Sequence, residues 1–399
     1  MVEEVLEFLR CRNLADESSN LYNPDAVFID GTLGTAGHTI EILKAHPTCR
    51  VVGFDRDADS QKIALQRIRE AGFDGRVTPI IGDFRRAPEL LQPFFDNLKV
   101  GADGRPITHI DGALVDAGMS LYQVSWPQRG LSFGKDGPLD MRYDRTQGPT
   151  AADLVNRLPQ NELEDLLFQL ADERWARRIA EFIAAHRQTS NIETTSELAR
   201  IVESAIPAGV RHQSKVHPST KTFAALRLAV NDEFWALDDG SIALSKVLSP
   251  HARLVVLTYS SNEDRTIKRT FRRLAGRAQE SASDSVRTSR PRKRDKSRPT
   301  RPNNASSAAR SSLASLFPTE ENSTKNPGVL PFNVAYNQEN LGSSVHPHAG
   351  IGESASDFAE NFPTMKIITP KPIVPTPEEI DRNPLSRSCK LRALEKPEN

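Results

Sequence analysis

Four aspartates in the first third of the chain each follow a short apolar run: Asp30, Asp55, Asp83 and Asp116. A carboxylate accepts hydrogen bonds and attracts positive charge. If the apolar runs are strands of one sheet, the four acids share an edge, because ligands of such sheets bind outside the carboxyl ends of the strands. Asp55, 25 residues after Asp30, then stands where an acid can accept hydrogen bonds from both hydroxyls of a ribose. Asp83-Phe84 can set a polar group and an aromatic wall beside an adenine. The first run leads into Asp30-Gly31-Thr32-Leu33-Gly34-Thr35-Ala36-Gly37-His38-Thr39, with glycines at 31, 34 and 37. That spacing lets a backbone turn tightly and approach a ligand, and the helix that follows offers free amides. Each acid taken alone can also be a helix cap or turn residue, and the loop an ordinary Gly-rich turn.

Charge narrows the ligand. Four carboxylates repel a pyrophosphate, and the loop is not the GxGxxG of dinucleotide enzymes, which counts against an adenosine-cofactor oxidoreductase. An adenosine without phosphate and with a cationic sulfonium and amino group fits better, so S-adenosylmethionine is the expected cofactor.

The elements that must hold these residues can be read from the pattern. Val27 to Ile29, Val51 to Phe54, Val77 to Ile81, Ala113 to Val115 and Leu254 to Thr258 are apolar runs of the kind found in parallel strands covered on both faces. Helical periods separate them, for example Ala64, Leu65, Ile68 and Ala71. Strands alternating with helices imply a doubly wound α/β sheet. The stretch 120–150 is rich in Gly, Pro and Asp and reads as an ordered loop. The stretch 150–236 is helical by period, with Leu163, Leu166, Leu167 and Leu170 as one stripe, so it reads as an insertion. The stretch 275–360 loses apolar periodicity and is expected to be disordered. A last strand is expected at Met365 to Thr369.

Composition sets outer limits. The 399 residues carry 52 Lys+Arg and 52 Asp+Glu, but residues 265–310 hold 15 of the bases and 3 of the acids, a basic arm suited to RNA. Cys11, Cys49 and Cys389 are widely separated, so neither a metal site nor a disulfide framework is expected. No apolar run approaches the ~20 residues of a membrane span. Val2, Val5, Leu6 and Leu9 are spaced as one helix face from the start of the chain, with no secretory signal visible.

Longer blocks carry a resemblance. Asp30-Gly31-Thr32 to His38 resembles the DGTxGxGGHS loop of the MraW/RsmH family, and Gly53-Phe54-Asp55-Arg56-Asp57 its GxDRD. Leu114 to Ser120 with Gln123 is similar to LxDLGxSSxQ. Arg129-Gly130-Leu131-Ser132-Phe133 with Asp136 to Arg142 is similar to RGFSF…DGPLDMRMD. His217 to Glu233 resembles HPATRTFQALRIxVNDE, and Asn383 to Arg392 resembles NPRSRSAKLR. The resemblance covers roughly 1–273 and 362–399. It implies a Rossmann-like class I methyltransferase sheet with an inserted helical domain and a long disordered insertion. The implied boundaries are 1–119 and 237–274 for the two parts of the methyltransferase domain, 120–236 for the insertion, 275–360 for the disordered segment, and 361–399 for a C-terminal strand and basic tail.

The implied activity is methylation of N4 of a cytidine in small-subunit ribosomal RNA, with S-adenosylmethionine as cofactor. The implied cofactor residues are Gly34, Ala36, Gly37, His38, Asp55, Phe84, Asp116 and Gln123. The sequence has no D/N-PP-Y motif, so Asp140 is the expected amine-orienting acid, the alternative being that Asp140 pairs with Arg142 to hold the loop. Arg142, Lys221 and Arg227 are expected on RNA, with further phosphate contacts from Arg174, Arg177, Arg178, Arg187, His217, Arg387, Lys390 and Arg392. The partner is small-subunit rRNA or the small subunit itself; oligomeric state is open, a homodimer among the alternatives.

Some positions depart from the family pattern. Ala36 replaces a loop glycine, Thr258-Tyr259-Ser260-Ser261-Asn262-Glu263-Asp264-Arg265 stands at SFHSLEDR with a serine for the histidine, and an HxPV segment is missing. These departures point to a divergent eukaryotic member serving the mitochondrial matrix, the cytoplasm being the alternative. They also leave a second function open, a weakly active or inactive RNA-binding assembly factor that keeps the fold.

Overall fold

A computed structural model describes residues 1–211, 216–277 and 364–398. The segment expected to be disordered, 275–360, lies outside the described residues beyond Arg277, as does most of the basic arm. The described residues form two compact units: 1–122 with 233–277 and 364–398, and 123–232.

The first unit is built on a seven-stranded sheet. Its strands are Val27–Asp30 (β1), Arg50–Asp55 (β2), Val77–Ile81 (β3), Gly112–Asp116 (β4), Arg253–Thr258 (β5), Lys366–Ile367 (β6) and Lys390–Glu395 (β7). They lie in the order β3-β2-β1-β4-β5-β7-β6. β1 to β5 are parallel, and β7 runs antiparallel to both β5 and β6. The order reverses between β1 and β4, the switch point of a Rossmann-like sheet. Pro79 is tolerated because β3 is an edge strand.

Alternation explains the core. Val27 and Ile29 pack into one apolar cluster while Phe28 packs into another, so both faces of β1 are covered. One cluster takes in the helices Ala87–Phe95, Glu233–Val247 and Ser261–Leu274, the other the helices Val2–Phe8, Gly37–Ala45 and Ala58–Glu70. Side chains as fully buried as Phe28 and Phe54 contribute about 1.5–3 kcal/mol each.

The C-terminal segment differs from the sequence expectation. The strand expected at Met365 to Thr369 shrinks to the two residues of β6, and the expected basic tail contains β7. Lys390, Arg392 and Glu395 hide the alternation of Leu391 and Ala393 on one face, with Leu394 packed on the other. Arg392 is buried because Asp264 accepts hydrogen bonds from its Nε and Nη2 at 2.7 and 3.3 Å. A strand with a charge inside reads as surface until its partner, 128 residues away, is known.

The second unit is helical: Ala151–Arg157, Gln160–Ala171, Ala176–His186, Thr195–Ala205 and Thr220–Val230 are its longer elements. Thr150 and Asp153 form a capping box that starts the first of them. The stripe Leu163, Leu166, Leu167 and Leu170 is buried, as its period requires. Asn231 pins the loop that carries Asp140: its Nδ2 donates to Met141 O at 2.8 Å and its Oδ1 accepts from Tyr143 N at 2.7 Å.

Candidate functional site

The four strand-end aspartates do gather along one edge, but their neighbours divide them. Asp30 is buried and spent locally, accepting from Thr32 N at 3.1 Å and from Thr39 Oγ1 at 2.7 Å. Burial pushes its carboxyl up, so it ties the loop to the following helix. Asp83 accepts from Arg85 N, Nε and Nη2 at 2.9, 2.9 and 2.7 Å, with Arg56 Nε 3.5 Å away. Burial works to raise its carboxyl, but the charges of Arg85 and Arg56 outweigh it and hold it below the usual range.

Asp55 and Asp116 remain open. Asp55 Oδ2 accepts from Gly34 N at 2.7 Å and Oδ1 from Asp57 N at 2.8 Å. A carboxylate has about four acceptor directions, so each oxygen keeps one, which suits a pair of vicinal hydroxyls. Burial pushes the Asp55 carboxyl up to about 7, with the two amides opposing. Asp116 Oδ1 accepts from Gly118 N at 3.0 Å, and Oδ2 lies 3.4 Å from His38 Nδ1.

The loop between β1 and its helix brings these groups together. Gly31 N donates to Leu114 O at 2.8 Å and Leu33 N to Phe54 O at 2.8 Å, which stitches the loop to β4 and β2. Thr32 Oγ1 accepts from Asp116 N at 2.7 Å. Gly34 has φ +51°, a conformation that favours glycine. Ala36 has φ 63° at the N-cap of Gly37–Ala45, with its methyl buried. No side chain caps that helix, so its first amides stay available. A Cβ on Gly37 would meet no atom within 4 Å.

Two expected cofactor residues sit differently. Phe84 is 7% exposed and its ring lies against Gly240, where a Cβ would fall 2.0 Å from Cε2. The ring is therefore committed to the core. Gln123 is buried in the short helix Leu121–Ser125, at the start of the second unit.

The expected substrate residues lie in that second unit. Arg142 holds Asp140 bidentately, Nε to Oδ1 at 2.7 Å and Nη2 to Oδ2 at 3.0 Å, and its backbone N adds a third bond at 3.1 Å. Arg145 approaches Oδ2 at 3.6 Å. Burial would raise the Asp140 carboxyl, but Arg142 outweighs it and the carboxyl stays below the usual range. The pair between Asp140 and Arg142 is thus a clasp around Met141, whose φ is +65°. Lys221 is exposed and donates to Asp172 O at 2.9 Å; Arg227 is half-buried on the same helix, Thr220–Val230.

Two expected phosphate contacts turn inward. Arg187 Nη1 donates to Val155 O and Leu158 O at 2.9 and 2.7 Å, closing a helix end, and Arg392 is buried on Asp264. Arg174, Arg177, Arg178 and Arg387 are exposed. Sequence reasoning missed Tyr259, which follows β5 as Asp116 closes β4; a Cβ on Gly118 would fall 2.9 Å from Tyr259 Cε2 and 3.0 Å from Asp116 Oδ1. The strand-end rule carried to the fifth strand finds it. Ser260, where the family pattern has histidine, accepts from Glu263 N at 3.1 Å while Glu263 Oε2 accepts from Ser260 N at 3.0 Å, a capping box for Ser261–Leu274. Among the described residues no His/Cys/Asp/Glu cluster can hold a metal ion, and no helix is long and apolar enough to cross a membrane.

Residues 1–311 match the sequence model of the MraW methylase family. Among curated proteins, the ribosomal RNA small subunit methyltransferase H of Geobacter sp. (strain M21) is 42% identical over 265 residues, covering 66% of this chain and 80% of the relative. That of Geobacter sulfurreducens is 41% identical over 276 residues, 69% of this chain and 81% of the relative. That of Carboxydothermus hydrogenoformans is 33% identical over 393 residues, 98% of this chain and 99% of the relative.

Proposed function

The chain belongs to the MraW methylase family, and from that premise we propose that it methylates N4 of a cytidine in small-subunit ribosomal RNA with S-adenosylmethionine as donor. The structural observation that carries the reading is Asp55, held by two backbone amides, unpaired with any described cation, and left with two acceptor directions. Those directions fit the hydroxyls of the donor's ribose. Asp116 fits the donor's positive charge. Asp83, neutralised by Arg85 and Arg56, takes no such part.

When bound, S-adenosylmethionine supplies an electrophilic methyl group on a sulfonium. The chain's own work is then to bind, orient and exclude water. The turn at Gly34 and Ala36 would let backbone approach the donor, and the uncapped first amides of Gly37–Ala45 would be available to its polar groups. A neutral exocyclic amine is already nucleophilic, so alignment supplies much of the rate. Asp140 shapes the loop through Arg142 rather than orienting the amine, because Oδ1 already accepts two hydrogen bonds from Arg142. The exposed Arg174, Arg177 and Arg178 support an RNA partner, whose base must be single-stranded or flipped to be reached.

The departures behind a non-catalytic reading have local explanations: Ala36 adopts the required φ with its methyl in the core, and Ser260 caps a helix. The test is incubation of the purified protein with S-adenosylmethionine and unmodified small-subunit rRNA, followed by nucleoside mass spectrometry. N4-methylcytidine is expected. Binding of RNA without any methylated base would sink the enzyme reading in favour of an assembly factor. Deleting the gene and mapping methylcytidines in rRNA from each compartment identifies where it works; we propose the mitochondrial ribosome.

A further inference from the structure

We propose that the outer face of the helix Ser261–Leu274 is a track for RNA phosphates, on which Arg265, Lys268 and Arg269 hold the backbone of the strand that carries the target base. The inference deepens the methyltransferase reading and rests on it for the identity of the RNA.

The helix sorts its charges by side. Its sequence, SNEDRTIKRTFRRL, holds two acids and five bases. Both acids are engaged: Glu263 is buried in the capping box with Ser260, and Asp264 accepts from Arg392 Nε at 2.7 Å. Ile267, Thr270, Phe271 and Leu274 are buried and form the inner side. At about 100° per residue, Arg265, Lys268, Arg269 and Arg272, spaced i, i+3, i+4 and i+7, fall together on the opposite side. Arg265, Lys268 and Arg269 are exposed. Arg273 leaves the row and pairs with Asp238 at 2.8 Å.

Exposed cations on other helices of this unit have an acid beside them. Lys44 lies 2.8 Å from Glu41, Lys62 3.1 Å from Asp59 and Arg69 3.9 Å from Asp74. Among the described residues no carboxylate pairs with Arg265, Lys268 or Arg269, and Arg265 Nη1 donates to the neutral Asn262 Oδ1 at 3.2 Å. Like charges three and four residues apart destabilise a helix. The buried side holds this row against its own repulsion, and a polyanion laid along it removes that repulsion.

Position and length fit a nucleic-acid strand. The helix starts just after β5, whose Leu257 pairs with Asp116 on the cofactor edge of the sheet. From Arg265 to Arg272 the row spans about 10 Å at ~1.5 Å per residue, the axial length of about three phosphates of one helical strand at ~3.4 Å each. The helix's one aromatic ring, Phe271, is buried, so the face meets phosphates rather than stacked bases. Such contacts set register without reading sequence.

The test uses the full chain with Arg265→Gln, Lys268→Gln and Arg269→Gln combined, changes that keep side-chain length and helix propensity. Affinity for a transcript of small-subunit rRNA is measured from ~50 to ~200 mM salt. Each phosphate contact on a single strand contributes about 0.7 to the slope of log affinity against log salt, so the triple variant should flatten the slope by about 2. Binding at ~100 mM salt should weaken at least tenfold, equally for rRNA and for an unrelated RNA of the same length. A control that removes as much charge, Lys44→Gln with Lys62→Gln and Arg69→Gln, should leave the slope unchanged. The triple variant's affinity for S-adenosylmethionine by calorimetry should also be unchanged, and its thermal midpoint equal or higher, because the repulsion is gone. An unchanged slope, or equal flattening in the control, overturns the proposal. If the triple variant melts early, Lys268→Gln alone decides, with an expected flattening of about 0.7–1. Wild type that binds rRNA with a steep salt slope yet methylates no base counts against the methyltransferase reading instead, and the slopes still decide what this face holds.

Discussion

Asp55 at the end of β2 and Asp140 in the loop of the helical unit are both sheltered aspartates, yet their neighbours treat them in opposite ways. Asp55 is met by two backbone amides, each taking one acceptor direction. Asp140 is met by a guanidinium that takes both oxygens. Burial without a cation pushes Asp55 up to about 7, while Arg142 holds Asp140 below the usual range. The lesson is that a carboxylate's place in a sequence motif does not reveal its availability. Amides position an acid and leave it hungry for a ligand; a guanidinium satisfies it.

The sharpest way to break this contrast is to remove each carboxylate. Asp55→Ala should lower affinity for S-adenosylmethionine by at least ~100-fold, since two hydrogen bonds to a charged group are lost at about 1.5–3 kcal/mol each. Calorimetry reads the affinity, and the thermal midpoint should stay within a few degrees or rise. Unchanged binding would place the ribose elsewhere. Asp140→Ala should do the reverse. It strands Arg142, and losing one partner of a buried pair costs about 3 kcal/mol, seen as a lower midpoint in the melt of the helical unit. Cofactor affinity should hold within about twofold. A stable Asp140→Ala protein with normal affinity but no methylation would restore Asp140 as the amine-orienting acid.

pH separates the two acids by sign. Asp55 has a raised carboxyl, so its folded form holds a proton that the unfolded chain has lost between about 4 and 7; stability from this group falls as pH rises through that window. Ligand hydroxyls donate to the ionised form and lower its pKa. Cofactor affinity should therefore climb up to about tenfold per pH unit below 7 and level off above it. Asp140 has a depressed carboxyl, so its contribution is complete above the unfolded value near 3.8 and is lost only as pH falls below that. Binding isotherms at pH 5, 6, 7 and 8 check Asp55, and melts carried down to pH 3 check Asp140; an affinity flat from pH 5 to 8 would mean that Asp55 is not the group the ligand engages.

Much of the first unit was legible because parallel strands announce themselves. Val27 to Ile29 and Ala113 to Val115 are apolar throughout, and each ends in an acid that closes its strand. The loop glycine Gly34 was legible for the same reason, since little else tolerates its φ. What stayed hidden depends on partners far away in the chain. Nothing near Asp83 in sequence, apart from the adjacent Arg85, says that Arg56 will also neutralise it. Nothing near Arg392 says that it is buried on Asp264, and nothing near Tyr259 says that its ring will lie beside the Asp116 carboxylate at Gly118. Phe84 reads as an aromatic wall beside the site, and nothing near it says that Gly240, 156 residues on, will receive one edge of its ring.

The smallest effect tests whether the ligand-facing loop tolerates its own departure from glycine. Ala36 sits at φ 63°, ψ 27°, which costs an L-residue about 1–2 kcal/mol. Its methyl is fully buried, and removing it forfeits about 0.8 kcal/mol. Glycine also enlarges the entropy of the unfolded chain, a further loss of about 0.4–1 kcal/mol. The terms nearly cancel, so Ala36→Gly should shift stability by less than about 1 kcal/mol in either direction. Affinity is the more telling readout, because the methyl points into the core rather than toward the ligand side. Cofactor binding should stay within about threefold of wild type, under 1 kcal/mol. A larger gain on Ala36→Gly would mean that the methyl crowds the ligand, and that this loop differs from the clasped Asp140 loop in being tuned by shape as well as by unpaired charge.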